Sequence, residues 1–349
     1  MSVIKQSFGT TGNGLPASLY VIDNGKSQIS VTDYGATLVS VVVPDRNGVM
    51  ADVALGFDSV TGYETSNYQG ATVGPYCNRI AGGKFSIDGA EYDLVRNENG
   101  VTNLHSGGEL TRRLWTAEVF SEDDMIRFSI SREDSVNGYP GNMDLSVTYK
   151  LADPATVIIT YGASADRKTF INLTNHSYFN LGGFDSGSIE GTLLKICADR
   201  FTPVDENSIP TGELLDVAGT PFDFTSLHAI GERINDENEQ LALTGGYDHN
   251  YAIRYWDGSF REAAFACDPV SGRTLTVLTT LPGVQFYAGN FLKGTPGKDG
   301  KPMTRRSGFC LETQYYPDTP NHPDFPQCLY DENKTYSSVT SFCFGHLTD

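Results

Sequence analysis

The sequence is short of basic residues. Of its 349 residues, 25 are Lys or Arg and 43 are Asp or Glu, which gives a formal net charge of −18. Because such a surface repels phosphate backbones and anionic lipid headgroups, nucleic acids and membranes are not expected partners. The same charge disfavours a phosphorylated ligand, so a neutral small molecule is the simpler expectation.

Paired cysteines, metal-ligand spacings and long apolar runs are also missing. The six cysteines are scattered without a C-x-x-C pair, and the six histidines show no ligand spacing, which predicts reduced thiols and no bound metal. The glycine-rich segments match no phosphate-binding loop or dinucleotide-binding motif, so no cofactor is expected. The first residues lack the apolar core of a signal peptide, and no run is long enough to cross a bilayer. We therefore expect a cytoplasmic protein.

Short β-rich runs recur between turn signals along the chain. Residues 125–131 alternate with period two, as a half-buried strand does, and similar runs occupy residues 145–149, 157–161, 275–279 and 284–287. Asp-Gly and Asn-Gly pairs punctuate these runs, which is typical of hairpins. The pattern predicts an all-β protein, either a sandwich or a barrel.

Helical patterns are few. Residues 225–233 form the best one, with Thr225 or Ser226 as the N-cap, and they predict one short helix. No low-complexity linker, charge run or internal repeat divides the chain, so we interpret residues 1–349 as a single domain.

The segment from residue 169 to residue 183 begins as a strand and then becomes unusually polar without becoming a turn. Side chains alternate between faces in an extended chain, so His176 and Tyr178 should share one face. Asn175, Ser177 and Phe179 should share the other. An imidazole beside a phenol suits a polar ligand that is both stacked and hydrogen-bonded, although a buried, internally satisfied pair has the same pattern.

Four motifs stand in order along the chain: GPYCNRIAGGKF (74–85), NLHSGG (103–108), NHSYFNL (175–181) and GFCLETQYYPD (308–318). Together they resemble the aldose 1-epimerases, specifically the galactose mutarotases, and the resemblance runs from about residue 34 to about residue 325. It implies one large antiparallel β-sandwich, the galactose mutarotase-like supersandwich. It also implies an isomerase that interconverts the α and β anomers of free hexoses, galactose and glucose first, without a cofactor.

Anomer interconversion requires one general base and one general acid near the operating pH. Glu312 lies in a strand-like run in which Cys310, Glu312 and Gln314 share a face, and a carboxylate there is costly to bury unless it is paired or functional. The resemblance assigns the base to Glu312 and the acid to His176. It assigns sugar binding to six further residues: Asn78, Arg79, His105, Tyr178, Asp248 and Gln285. Strand alternation places Gln285 and Tyr287 on one face, and it places His249 on the face opposite Asp248.

Two departures from the family pattern bear on selectivity. Pro75 stands where many members have an arginine, and Ser106 is an extra residue in the loop that presents His105.

Three alternatives stay open: the same chemistry on maltose or a hexose phosphate, a glycosidase using Asp248 and Glu312, and a non-catalytic carbohydrate-binding sandwich. The last relies on aromatic platforms, but the two tryptophans lie outside the motifs. The chain is expected to be a monomer or a homodimer.

Overall fold

The computed structural model describes residues 2–66 and 68–347. Strands are numbered β1 to β29 in chain order. The N-terminal sheet has five antiparallel strands in the order β1-β2-β3-β4-β5. Their bounds are β1 Ser2–Thr10, β2 Pro16–Asp23, β3 Gln28–Thr32, β4 Thr37–Pro44 and β5 Met50–Asp52.

The largest sheet has nine strands, in the order β11-β12-β13-β14-β29-β23-β22-β17-β20. Its neighbouring strands are antiparallel, and it contains the runs predicted at residues 125–131, 145–149, 157–161 and 275–279. The bounds are β11 Thr116–Phe120, β12 Met125–Arg132, β13 Met143–Ala152, β14 Thr156–Ala165, β17 Leu193–Ile196, β20 His228–Ala229, β22 Arg261–Cys267, β23 Arg273–Thr279 and β29 Tyr336–His346.

A third sheet has five antiparallel strands in the order β19-β18-β21-β24-β27. It contains the predicted run at residues 284–287 and the segment around Glu312. The bounds are β18 Ala198–Phe201, β19 Leu215–Asp216, β21 Asp248–Ile253, β24 Gly283–Tyr287 and β27 Cys310–Gln314.

Short antiparallel pairs form separate two-stranded sheets and carry several of the motif residues. They are β6 Thr72–Val73 with β16 Thr174–Asn175, β7 Arg79–Ile80 with β10 Asn103–Leu104, β8 Lys84–Ile87 with β9 Ala90–Asp93, β15 Thr169–Phe170 with β28 Leu329–Tyr330, and β25 Thr295–Pro296 with β26 Pro302–Met303.

The helices are short. The α-helices are α1 Val60–Glu64 and α2 Glu239–Thr244, and one-turn 3₁₀ segments occupy Ala81–Gly83, His105–Gly108, Leu110–Arg112, Ser121–Asp123, Val136–Gly138, Lys298–Gly300 and Thr319–Asn321. Within the described part of the chain, no helix has the length and apolarity needed to cross a membrane.

The helix predicted at residues 225–233 is wrong. This segment contains β20, which pairs with β17, and its one internal backbone bond among the described residues, from Glu232 N–H to Ala229 O, closes a turn and does not continue as a helix. The backbone N–H of Ile230 donates to Thr192 O at 2.9 Å, and that of Gly231 donates to Glu190 O at 2.8 Å. The expected N-cap hydroxyl of Thr225 instead donates to Asp223 in a turn. Tertiary pairing has overridden a weak local propensity.

One apolar core joins the three larger sheets. Val41 of the first sheet, Phe128 and Tyr149 of the second, and Val284 and Phe286 of the third belong to the same cluster of buried side chains. Layers of antiparallel sheet around a shared core form a β-sandwich, so the predicted fold class is confirmed. All six cysteines are free, as their spacing predicts.

Candidate active site

The third sheet aligns two rows of polar residues on one face. Asn250, Gln285 and Glu312 are opposite one another across β21, β24 and β27. Asp248, Tyr287 and Cys310 form the next row, two residues along each strand. Directly opposed residues in antiparallel strands share a face, and so do residues two apart. The faces predicted for Glu312 and for Gln285 with Tyr287 are therefore confirmed.

A cavity of about 330 Å³ opens over this face. That volume is within the range of small-molecule sites. Seven of the eight residues predicted for the site are on its wall, and Gln285 is not. The cavity is lined by Tyr68, Asn78, Arg79, Glu98, Leu104, His105, His176, Tyr178, Asp248, Tyr287, Phe291, Lys293 and Glu312.

Glu312 and His176 face each other in this cavity. Glu312 Oε1 is 3.7 Å from His176 Nε2, and both side chains are buried. The second carboxylate oxygen, Oε2, is buried without a hydrogen-bond partner among the described residues. A buried polar atom without a partner is rare in a structural role and points to a ligand or a reaction.

Burial pushes both groups toward their neutral forms. It raises the pKa of Glu312 well above its ordinary value, and the negative charge of Asp248 raises it further, while Arg79 acts in the opposite direction. Burial lowers the pKa of His176 to about 4. Perturbed pKa values of paired groups in a cavity are typical of acid–base catalysis.

His105 is held by reciprocal bonds with Asn78. Its backbone N–H donates to Asn78 O at 3.0 Å, and the backbone N–H of Asn78 donates to His105 Nδ1 at 3.1 Å. Burial lowers the pKa of His105 well below its ordinary value, so the ring is neutral. Because Nδ1 accepts a hydrogen bond, the ring proton resides on Nε2, which makes His105 a donor to a ligand.

The extra Ser106 anchors the loop of His105. Its buried hydroxyl accepts from the backbone N–H of Tyr76 and donates to Tyr76 O, both at 2.9 Å. Asn137 Nδ2 also donates to Ser106 O at 2.9 Å. The departure at Ser106 therefore fixes the loop and does not loosen it.

Arg79 and Asp248 belong to one polar network. Arg79 binds Glu98 with two bonds, at 2.8 and 2.9 Å, and its Nη1 is 3.9 Å from Asp248 Oδ2. Gln285 Nε2 donates to Asp248 Oδ1 at 2.7 Å, and Gln314 Nε2 donates to Gln285 Oε1 at 3.2 Å. Gln285 thus lies behind Asp248 and orients it, so its predicted contact with the sugar stays a prediction.

An aromatic wall borders the acid–base pair. The rings of His176 and Tyr178 stack, with centroids 5.0 Å apart and planes 21° apart, so their predicted common face is confirmed. Tyr287 contacts both rings edge-on. His249, predicted to lie on the face opposite Asp248, contacts the rings of Phe201 and Phe222 edge-on and is not part of the cavity wall.

Six residues of the cavity wall were not assigned to the site from the sequence. They are Tyr68, Glu98, Leu104, Tyr287, Phe291 and Lys293. Glu98 is 19 residues from Arg79, and Tyr68 belongs to none of the four motifs. Two of the six positions carried a usable signal: Leu104 belongs to the motif at residues 103–108, and strand alternation places Tyr287 on the face of Gln285.

One trio in the described chain has the donor types of a metal site. Ligand atoms of His105, His176 and Glu312 lie within 4.8 Å of one another, although no sequence spacing indicates them. A metal-bound histidine normally donates its other ring N–H to an acceptor. His105 Nδ1 instead accepts the N–H of Asn78, so its free nitrogen carries the proton. The arrangement suits hydrogen bonding to an organic ligand better than metal binding.

Known proteins resemble this chain over most of its length. The family model "Aldose 1-epimerase" matches residues 18–343. The galactose mutarotases of Bos taurus and Homo sapiens are 41% and 40% identical to the chain, each over 99% of both sequences. The aldose 1-epimerase of Escherichia coli strain K12 is 36% identical over 95% of this chain and 96% of its own.

Solved structures show the same architecture. An aldose epimerase homologue from C. elegans superposes with a TM-score of 0.86 at 26% identity, covering 99% of this chain and all of that one. The galactose 1-epimerase of Lactobacillus acidophilus gives the same TM-score at 25% identity over the full length of both chains. This chain belongs to the aldose 1-epimerase family.

Proposed function

We propose that Glu312 and His176 open and reclose the ring of a free hexose bound in the cavity. The chain is an enzyme of the isomerase class with mutarotase activity on hexoses, whereas the roles of the individual residues are our proposal. The observation that supports them is the facing pair: a buried carboxylate with one unpartnered oxygen, 3.7 Å from an imidazole, in a cavity of suitable size.

Ring opening moves two protons and no other atoms. Glu312 takes the proton of the C1 hydroxyl, the C1–O1 bond becomes a carbonyl, and the bond from C1 to the ring oxygen breaks as His176 protonates that oxygen. After rotation about the C1–C2 bond, His176 takes the proton back, the oxygen attacks the other face of C1, and Glu312 returns its proton to O1. Both side chains end as they began.

The pair works with a single proton, which is on His176 before opening and on Glu312 in the open-chain state. Burial favours neutral imidazole and protonated carboxyl, so the protein stabilises the protonation state that accompanies the open-chain aldehyde. The other cavity groups then bind hydroxyls: Asn78 and Arg79 as donors, His105 as a donor near the ring oxygen, Asp248 as an acceptor and Tyr178 as an apolar wall.

The substrate is proposed to be unphosphorylated, with galactose the first candidate and glucose the second. The cavity wall carries the carboxyl groups of Glu98, Asp248 and Glu312, and its basic side chains are those of Arg79 and Lys293. A phosphate group would meet repulsion from this wall and from the net charge of −18.

Polarimetry on freshly dissolved α-galactose, α-glucose and maltose tests the proposal, with glucose 6-phosphate as the charged competitor and an aryl glycoside as the hydrolysis control. We expect faster approach to anomeric equilibrium with free hexoses and no release of the aryl group. A higher kcat/KM for the phosphate ester at low salt would show that the substrate assignment is wrong.

The reaction should follow a bell-shaped pH dependence. Its acid limb should lie near pH 4, where a second proton binds His176, and its alkaline limb at the raised pKa of Glu312, where the single proton is lost. Since Asp248 raises the pKa of Glu312, Asp248→Asn should move the alkaline limb of kcat/KM to lower pH. An unmoved limb would exclude Glu312 as the group that titrates there.

No metal is required by these proton transfers. Activity should therefore survive exhaustive treatment with EDTA, measured by the same polarimetric assay. A loss of activity that one added divalent ion restores would contradict the cofactor-free mechanism and would place the ion at His105, His176 and Glu312.

Three broader assignments complete the proposal. We propose a single domain over residues 1–349, a cytoplasmic location, and a monomer or homodimer in solution. Light scattering on the eluting protein would determine the oligomeric state.

A further inference from the structure

Tyr68 is a cavity residue that the proposed mechanism does not use. It lies in the turn between α1 and β6, is half-buried, and contributes to the cavity wall. Its backbone has a φ of +65°, which is uncommon for a bulky side chain. Backbone conformations of this kind persist where the surrounding structure enforces them, and they cluster at functional sites.

The turn of Tyr68 is bonded to the segment that carries His176. The backbone N–H of Gly70 donates to His176 O at 2.8 Å, and the N–H of His176 donates to Ala71 O at 3.0 Å. Asn175 Nδ2 donates to Gly70 O at 2.8 Å, and the N–H of Ala71 closes the turn on Tyr68 O at 2.9 Å. The phenol ring is thereby held in fixed register with the imidazole.

The Tyr68 ring contacts both active-site histidines. Its centroid is 4.7 Å from that of His105, with the planes 58° apart. It is 5.9 Å from that of His176, with the planes only 23° apart. The two imidazoles are 5.4 Å from each other. The contacts with both histidines are therefore made by the ring of Tyr68. Its hydroxyl makes no hydrogen bond to another residue of the described chain.

We infer that Tyr68 is a positioning residue for the acid–base pair: its ring fixes the imidazoles of His105 and His176 and keeps water from His176. This inference rests on the acid role proposed for His176. Without the ring, water would reach an imidazole whose neutrality depends on burial. The imidazole would also be free to turn away from the sugar oxygen, and proton transfer is sensitive to small misplacements.

Among the residues that the structure describes, few other groups face His176. Glu312 is on the side of Nε2, and Cys310 Sγ is 3.5 Å from Nδ1. The rings of Tyr178 and Tyr287 and the neutral imidazole of His105 also contact it. None of these groups is removed by a substitution at Tyr68, so a change in the pKa of His176 in such a variant reports the loss of the phenol ring.

Two substitutions separate the ring from the hydroxyl. Tyr68→Phe keeps the ring, so its kcat and KM should stay within about threefold of wild type. Tyr68→Ala removes the ring, so its kcat should fall about tenfold or more with a smaller change in KM. NMR titration of the imidazole C–H signals should show the pKa of His176 rising toward its ordinary value of 6.5 in Tyr68→Ala only, and the acid limb of the pH profile should rise with it.

Tyr92→Ala is the matched control, because it removes a partly buried tyrosine that packs on Phe85 outside the cavity. If Tyr68→Ala does not fold, Tyr68→Leu replaces it. Wild-type kcat and an unmoved His176 titration in the folded variant would overturn the inference. So would a raised KM in Tyr68→Phe, which would make the hydroxyl a sugar ligand. A failure of the proposed function can be told apart from a failure of this inference. If His176 is not the acid, the His176→Asn variant will keep its activity.

Discussion

Glu312→Gln is expected to lower kcat by about a hundredfold or more, which corresponds to about 2.7 kcal/mol of transition-state stabilisation. The amide keeps the shape of the carboxylate and its place opposite His176, but it cannot take the proton of the C1 hydroxyl. Sugar affinity should change little, because the groups assigned to the hydroxyls are untouched. Polarimetric rates at saturating sugar, with binding measured by calorimetry, separate the two quantities.

The same substitution should not reduce stability at neutral pH. The pKa of Glu312 is raised in the folded state, so the folded protein binds a proton more tightly than the unfolded chain does. Stability from this group is present at low pH and falls as the pH rises above the ordinary carboxyl pKa. Removing the charge should leave the melting temperature at pH 7 unchanged or higher. A folded Glu312→Gln with near-normal turnover would exclude Glu312 as the base.

Glu262→Gln provides the control for this experiment. Glu262 is a strand carboxylate on β22 of the nine-stranded sheet, where it pairs with Lys195. It lies outside the cavity, so its amide variant should retain wild-type turnover. If turnover falls in Glu312→Gln but not in Glu262→Gln, the fall comes from the position of Glu312 in the cavity.

The sheets were predictable because alternation, hairpin turns and motif order all favour the same antiparallel architecture. Residues 125–131 show this best, since their period-two pattern matches β12 in the nine-stranded sheet. The segment at 225–233 shows the limit: its helical pattern is local, whereas its pairing partner, β17, lies about thirty residues or more earlier. Nothing within the segment reveals that partner.

The cavity was only partly predictable for a related reason. Strand alternation predicts which face of its own strand Glu312 and Gln285 each occupy. The register of β24 with β27 then places the two residues opposite each other. The bond from Gln285 to Asp248 depends on the pairing of β24 with β21, which alternation within one strand does not give. Tyr68 reaches the site only because its turn bonds to the His176 segment, and that contact joins residues about a hundred positions apart.

His176→Asn is expected to have the second large effect, a fall in kcat of about a hundredfold or more with little change in KM. Asparagine can hydrogen-bond to the ring oxygen but cannot deliver a proton to it. Asp248→Ala should behave in the opposite way and raise KM, since Asp248 is assigned to hydroxyl binding. Steady-state polarimetry on both variants, over a range of sugar concentrations, tests the division.

The His176 result needs a companion that separates proton delivery from packing, because His176 also stacks on Tyr178 and Tyr68. His176→Ala leaves a space beside Glu312 that free imidazole can enter from the cavity. If the missing function is a proton carrier, added imidazole should restore part of kcat in proportion to its protonated fraction, which falls as the pH rises. A variant that alters only KM, or a rescue that depends on neutral imidazole, would show that His176 binds the sugar without protonating it.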